Sequence, residues 1–353
     1  MDTELILSPT DKLLHLGRVA WSRARFPVPL RHLSIAAEYT RQRAFPSGAA
    51  LAREGEPMAS CWLLVQGRVR VLRRGRVLGE SGPGSLVGLE ALLSQDQLGL
   101  GVVAATDVVA LELDSDALLE LLGDQFPMVH EGIRSASRRL LDLVRRLPGP
   151  RDDSARLLLP EPPDRPPNLV EVLLFLRAPG GPFERSSLDA LAELASGLKP
   201  VSFERGHVFW REGERADRMG FVVAGSVACE SSQPSAHAWS VGPGRFLGLL
   251  EAVADEPRWY EAVAETEGVA LEQDVGGWAD AFEDNVGMAV DFLAWLSRTT
   301  LALIERELWL SRELFEFFTT LAAPPDPSGV LDDGSADPIG TSSAGISGSS
   351  GAA

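Results

Sequence analysis

The chain has 353 residues, 45% of them hydrophobic, and a formal charge of −17, with Lys only at positions 12 and 199. That length holds about two domains of ordinary size with real cores, and the acidity argues against the phosphate backbone of nucleic acid or an anionic lipid surface as a partner. The basic start of a signal peptide and any apolar run of about 18 residues are both missing, so a soluble, cytoplasmic protein is expected.

Residues 11–43 carry helical signals interrupted by Pro27 and Pro29. From Phe45 the pattern changes to short strands punctuated by glycine: Cys61–Val65 reads as a buried strand, Gly67 turns it, and Arg74-Gly75 forms a second turn. Strands return over 100–113. A short helix is predicted over 116–122 and a longer one over 127–147, with Val129, Ile133, Leu140, Leu141, Val144 and Leu147 on its apolar side and Arg138, Arg139, Arg145 and Arg146 on a solvated face. Residues 148–167 hold seven Pro and read as the linker between domains 1–147 and 168–321. Helical segments are expected at 168–177 and 186–198, strands from Val201 to about Asp274, and a helical region over 285–321. Residues 322–353 are Gly, Ser, Ala and Pro with four Asp and no Lys or Arg, which predicts a disordered tail.

The chain also repeats itself. Arg53-Glu54-Gly55-Glu56 returns as Arg211-Glu212-Gly213-Glu214 at an offset of 158, and Phe45, Gly48 and Gly67 map onto Phe203, Gly206 and Gly225. Gly84 and Gly88 map onto Gly244 and Gly248 at an offset of 160, as does Val109-Ala110-Leu111-Glu112 onto residues 269–272. One domain design is present twice. Strand spacing, glycine placement and the flanking helices resemble the cyclic nucleotide-binding domain of catabolite-activator-type regulators and protein kinase A regulatory subunits, over roughly 30–147 and 185–310. The resemblance implies a mainly β fold of two tandem double-stranded β-helix (jelly-roll) domains with flanking helices.

In that family a phosphate-binding cassette lies between two strands: Gly-Glu, a few apolar residues, Pro-Arg, then small residues and Thr. A short helix offers its N-terminal N–H groups to the phosphate, the Arg forks onto the phosphate oxygens, and the Glu accepts from the ribose hydroxyl. Here the first cassette keeps Gly88, but Leu89 replaces the Glu, and Gln97 and Leu98 replace Pro-Arg. A phosphate beside leucines with no cation would be uncompensated, so the first site is expected not to bind. The second cassette keeps Gly248, again replaces Glu by Leu249, and carries Pro257-Arg258 in register, followed by Trp259, Tyr260 and Glu261. Two readings of Arg258 stand: an internal pair with Glu261, or a ligand to the phosphate of cAMP or cGMP, with one aromatic stacked on the base.

Other chemistry is thin. The five His, at 15, 32, 130, 207 and 237, show no metal-ligand spacing, so no metal is expected. Arg-Glu-Gly-Glu reads as a strand end and turn, His207 as a surface residue, and Cys61 and Cys229 as buried thiols. A helix-turn-helix has no room in 148–167 or 322–353. The expectation is a non-enzymatic regulator or adaptor, a pseudo-sensor acting through protein contacts, with a partner or a second copy meeting the Leu and Phe stripes of 285–321. The alternatives are a catabolite-activator-like transcription regulator that lacks or borrows its DNA-binding module, and a small-molecule jelly-roll enzyme.

Overall fold

The computed structural model describes residues 6–23, 30–94, 99–146, 167–232 and 238–308. Helices α1 (Pro9–Arg23) and α2 (Leu30–Tyr39) precede β1 (Arg41–Phe45), β2 (Ala50–Ala52), β3 (Ser60–Gln66), β4 (Val69–Arg73), β5 (Arg76–Ser81) and β6 (Leu86–Val87). The short helix α3 (Leu89–Ser94) leads to β7 (Gly101–Ala104) and β8 (Val108–Asp114), and α4 (Ser115–Asp124) and α5 (Phe126–Arg146) follow. The second copy runs α6 (Leu169–Leu176), α7 (Leu188–Gly197), β9 (Lys199–Phe203), β10 (Val208–Trp210), β11 (Arg218–Ala224), β12 (Val227–Glu230), β13 (Trp239–Val241) and β14 (Phe246–Leu247). It ends with α8 (Leu249–Ala254), β15 (Glu261–Ala264), β16 (Gly268–Asp274), α9 (Val275–Asp284) and α10 (Val286–Leu308). The strands thus begin at Arg41, four residues before the change of pattern at Phe45. The linker through Pro166, residues 309–321 and the tail lie outside the described residues.

Each copy folds its eight strands into two four-stranded antiparallel sheets, ordered β1-β8-β3-β6 and β2-β7-β4-β5 in the first, and β9-β16-β11-β14 and β10-β15-β12-β13 in the second. The register repeats too: Phe45 faces Val108 and Phe203 faces Gly268, while Trp62 faces Val87 and Gly220 faces Leu247. Gly67 (φ +83°) and Gly225 (φ +89°) turn equivalent hairpins in the left-handed region, and a Cβ at either would strike the carbonyl of Asp107 or Glu267. The central strands β3 and β11 are apolar because both faces are covered, by the opposing sheet and by helices. Asp114 and Asp274 cap α4 and α9 in the same way, accepting from the N–H of Ala117 and Gly277.

The long helices cross between the copies. α5 packs on α10 and on α8 of the second copy, and α10 packs on α3 of the first. Gly132 makes the crossing close, since a Cβ there would sit 3.4 Å from Leu293 Cδ2. Along the stripes predicted in 285–321, Leu293, Leu296 and Leu303 are buried within this chain. Val286–Ile304 is long and apolar enough to cross a membrane by length and composition, and half of it is buried in this packing.

Candidate functional site

The second cassette is built on Gly248, the left-handed N-cap of α8 (φ +72°), followed by Leu249, which is buried. Arg258, just before β15, turns inward and is only 2% exposed. Its Nη1 donates to the carbonyl of Gly248 at 2.8 Å, and its Nη2 donates to the carbonyl of Arg218. The guanidinium carbon lies 3.8 Å from the centroid of the Trp210 ring, a desolvated cation–π contact. The carboxylate beside it is Glu251 of α8, with Oε2 3.9 Å from Nη1. This corrects the pair read from the sequence: Glu261 sits in β15 opposite Glu230, and Glu251 takes the role. Burial pushes the Arg258 guanidinium below its ordinary value, and Glu251 counters that.

Glu251 also accepts from Trp259 Nε1 at 2.5 Å. Trp259 stacks on Trp239 with 5.3 Å between centroids, and Tyr260 meets Trp210, Trp239 and Trp259 edge-on. Burial, with Glu251 second, pushes the Tyr260 hydroxyl well above its usual range, so it stays protonated. The strand register and the repeat offset relate the two copies. Trp210, Trp239 and Trp259 occupy the places of Ala52, Gly79 and Gly99 in the first copy, and Glu251 the place of Ala91. The second copy has three indoles and a carboxylate where the first has alanines and glycines.

The first cassette is arranged differently. Gly88 (φ +87°) precedes α3, and Met58 Cε stands 2.6 Å from where its Cβ would be. Leu89 is half-buried, while Ala91, Leu92 and Leu93 enter the core. Glu90, beside the expected ribose position, forms an ion pair with Arg139 of α5. Gln97 and Leu98 lie outside the described residues. Sequence reading missed Arg73, which is buried and donates to the carbonyl of Gly99. In the second copy Ser231 occupies its place and donates to the carbonyl of Trp259 at 2.7 Å, so both residues bracket the cassette to a strand end.

Three of the arginines assigned to a solvated face of α5 are engaged instead, because one side of the helix meets the second copy and another meets α3. Arg138 Nε donates to the carbonyl of Ala254 at 3.1 Å, Arg139 pairs with Glu90, and the Arg145 guanidinium lies 5.8 Å from the Trp259 ring. Arg146 is exposed. Glu54 and Glu212 of the repeated Arg-Glu-Gly-Glu accept from the backbone N–H of Gly75 and Ser232, a turn-bracing role. His207 is exposed, with its ring edge-on to Phe209. Cys61 and Cys229 are free and buried. Among the described residues no group of His, Cys, Asp and Glu could hold a metal ion.

Comparison with known proteins follows the repeat. The cyclic nucleotide-binding domain model matches residues 42–125 and 200–285. A CRP-like cAMP-activated global transcriptional regulator of Mycobacterium tuberculosis is 29% identical over 124 residues, 34% of this chain and 55% of the regulator. A cyclic nucleotide-gated potassium channel of Mesorhizobium japonicum is 36% identical over 76 residues, 22% of this chain and 20% of the channel. The chain therefore spans about half the length of the regulator, and less of the channel. Among solved structures, the regulatory subunit of a cAMP-independent protein kinase A from Trypanosoma brucei aligns over 84% of this chain and 91% of its own, at 20% identity and a TM-score of 0.32.

Proposed function

Residues 42–125 and 200–285 belong to the cyclic nucleotide-binding domain family, and from that premise we propose that the chain is a regulatory protein, without catalytic activity of its own, whose second cassette is filled by its own side chains. The observation that carries this reading is the commitment of Arg258. Its guanidinium is held by two carbonyls, the Trp210 face and Glu251, so the cation that would meet a cyclic phosphate already has its partners. Glu251 supplies the negative charge, and Trp259, which donates to the same carboxylate, stacks on Trp239. Opening the cassette to a nucleotide would require desolvating the ligand phosphate, breaking the internal pair and expelling an indole. The first cassette lacks a cation at the sequence position of Arg258, which is Leu98.

The test is calorimetric titration of the full chain with cAMP and with cGMP. The proposal predicts no binding heat at millimolar ligand. A second reading, nucleotide binding at the second cassette with Arg258 turned onto the phosphate, has the Gly248 and Arg258 register in its favour. It predicts binding that Arg258→Ala weakens more than about tenfold.

A pseudo-sensor acts through protein contacts, and we place that contact on 285–321. Leu293, Leu296 and Leu303 are buried within the chain, and 309–321 lie outside the described residues. Light scattering tests this: Leu310→Asp should dissociate a dimer or release a co-purifying partner, and a monomeric wild type without one refutes it.

A further inference from the structure

Four residues of α5 face the second copy's cassette. Arg134 Nη2 pairs with Asp255 Oδ2 at 2.9 Å, and Arg138 Nε donates to the carbonyl of Ala254 at 3.1 Å. Leu141, 1% exposed, packs in the cluster that holds Trp210, Trp259 and Tyr260, and the Arg145 guanidinium stands 5.8 Å from the Trp259 ring. Positions 134, 138, 141 and 145 are spaced four, three and four apart, which puts them in one row on a helix. Asp255 is the left-handed C-cap of α8 (φ +55°), and Ala254 carries one of that helix's last carbonyls. Two guanidiniums therefore sit where the carbonyl dipoles of α8 end, the position that favours cations and satisfies terminal carbonyls. Leu141 and Arg145 cover the aromatic filling one and two turns further on.

The row is not a by-product of the repeat. At the offset of 160 that relates α5 to α10, Arg134, Arg138, Leu141 and Arg145 correspond to Ala294, Arg298, Leu301 and Glu305. One of the three positive charges is lost, at Ala294, and one is reversed, at Glu305, whereas Glu90 on α3 pairs with Arg139 of α5. Both cassette helices are thus tied by the same helix of the first copy, Glu90 on α3 through one face and Asp255 with Ala254 on α8 through another.

We propose that α5 is a latch between the domains, in which Arg134, Arg138 and Arg145 are positioning residues that hold the second cassette shut. This rests on the reading of the second cassette as closed, and adds that the closed state depends on the first domain. A perturbation that shifts α5, including one at Glu90 of the first cassette, would be transmitted to α8 and to the Trp239–Trp259 stack.

Hydrogen exchange on the full chain, without any nucleotide, tests the latch. In Arg134→Ala/Arg138→Ala, amides of 249–258 should exchange about tenfold faster or more, while those of β11 stay as in the wild type. Arg139→Ala, which breaks the pair with Glu90, should speed exchange over 89–94 and, through α5, over 249–258 by less than the double variant does; unchanged exchange over 249–258 would refute transmission from the first cassette. Unchanged exchange over 249–258 in the double variant overturns the latch, as does an equal rise in β11, which would mean general loosening. Arg145→Ala should raise solvent exposure of tryptophan, read by iodide quenching, and an unaltered quenching constant counts against its role. Failure of the closed-cassette reading is seen separately, as nucleotide binding by the wild type with the exchange pattern of the variants intact.

Discussion

Removing Glu251 should expose how the second cassette is held. The carboxylate is 4% exposed and has two clients, the Trp259 indole N–H at 2.5 Å and the Arg258 guanidinium at 3.9 Å. In Glu251→Leu the buried indole donor loses its acceptor, which costs about 1–3 kcal/mol. The guanidinium loses a counter-charge worth about 4 kcal/mol at an effective dielectric of about 20, partly offset by the relief of burying the carboxylate. The net expectation is a loss of about 3–5 kcal/mol in the stability of the second domain. Glu251→Gln keeps an acceptor for Trp259 and should lose about half as much. Glu251→Leu/Arg258→Met replaces the pair by apolar side chains and should recover part of the loss, giving a coupling of about 1–3 kcal/mol in a double-mutant cycle. Urea unfolding followed by tryptophan fluorescence suits the measurement, since Trp210, Trp239, Trp259, Trp278 and Trp295 belong to the second domain and Trp21 and Trp62 to the first. A Glu251→Leu loss under about 1 kcal/mol, or additive effects in the cycle, would refute the reasoning.

Three further outcomes are expected. Gly248→Ala should cost several-fold more stability than Gly206→Ala, because both glycines have positive φ but only at Gly248 would a Cβ run into Arg258 and Trp210; equal losses would contradict the packing. The Cys61 thiol, pushed up to about 12 by burial and then by Glu90, should resist a disulfide reagent in the native state, and rapid labelling at neutral pH would show the first core to be open. The His130 ring on α5 is held below its ordinary value by burial first and Arg134 second, with Glu283 opposing. A lowered folded value means that its contribution is complete above about pH 6.5 and is lost as pH falls through the folded value. His15 titrates in the same sense, so His130→Gln should flatten only part of the stability slope between about pH 6.5 and 5, and an unchanged slope would exclude His130 as a source.

The fold was legible because backbone geometry writes itself into glycines. Gly67 and Gly225 are needed wherever a carbonyl passes against the turn, and their spacing carried the repeat and its register. The cassette register was legible for the same reason, which is why Gly248 and Arg258 meet as the motif implies. The partner of Arg258 was not. Glu251 and Glu261 are both near it in sequence, and choosing between them requires the rotation of α8 and the direction of β15, which depend on packing from elsewhere. The aromatic filling was only half visible: Trp259 and Tyr260 were in view, but Trp210 and Trp239 lie about 50 and 20 residues upstream, on strands that meet the cassette in space. Arg138 and Arg139 of α5 read as solvated from the sequence because their acceptors, the carbonyl of Ala254 in the other domain and the Glu90 carboxylate on α3, are far away in sequence. The spacing of Arg134, Arg138, Leu141 and Arg145 marks a single face, and nothing in one sequence says that the face is covered.

The central claim is that the second cassette is occupied by the protein itself, and the most direct measurement is a crystal structure of the full chain grown in millimolar cAMP. The account predicts Arg258 on the carbonyls of Gly248 and Arg218 with Glu251 beside it, Trp239 stacked on Trp259, and no nucleotide between α8 and β15. Nucleotide density in that cassette, with the Arg258 guanidinium turned onto the cyclic phosphate and Trp259 displaced, would contradict it.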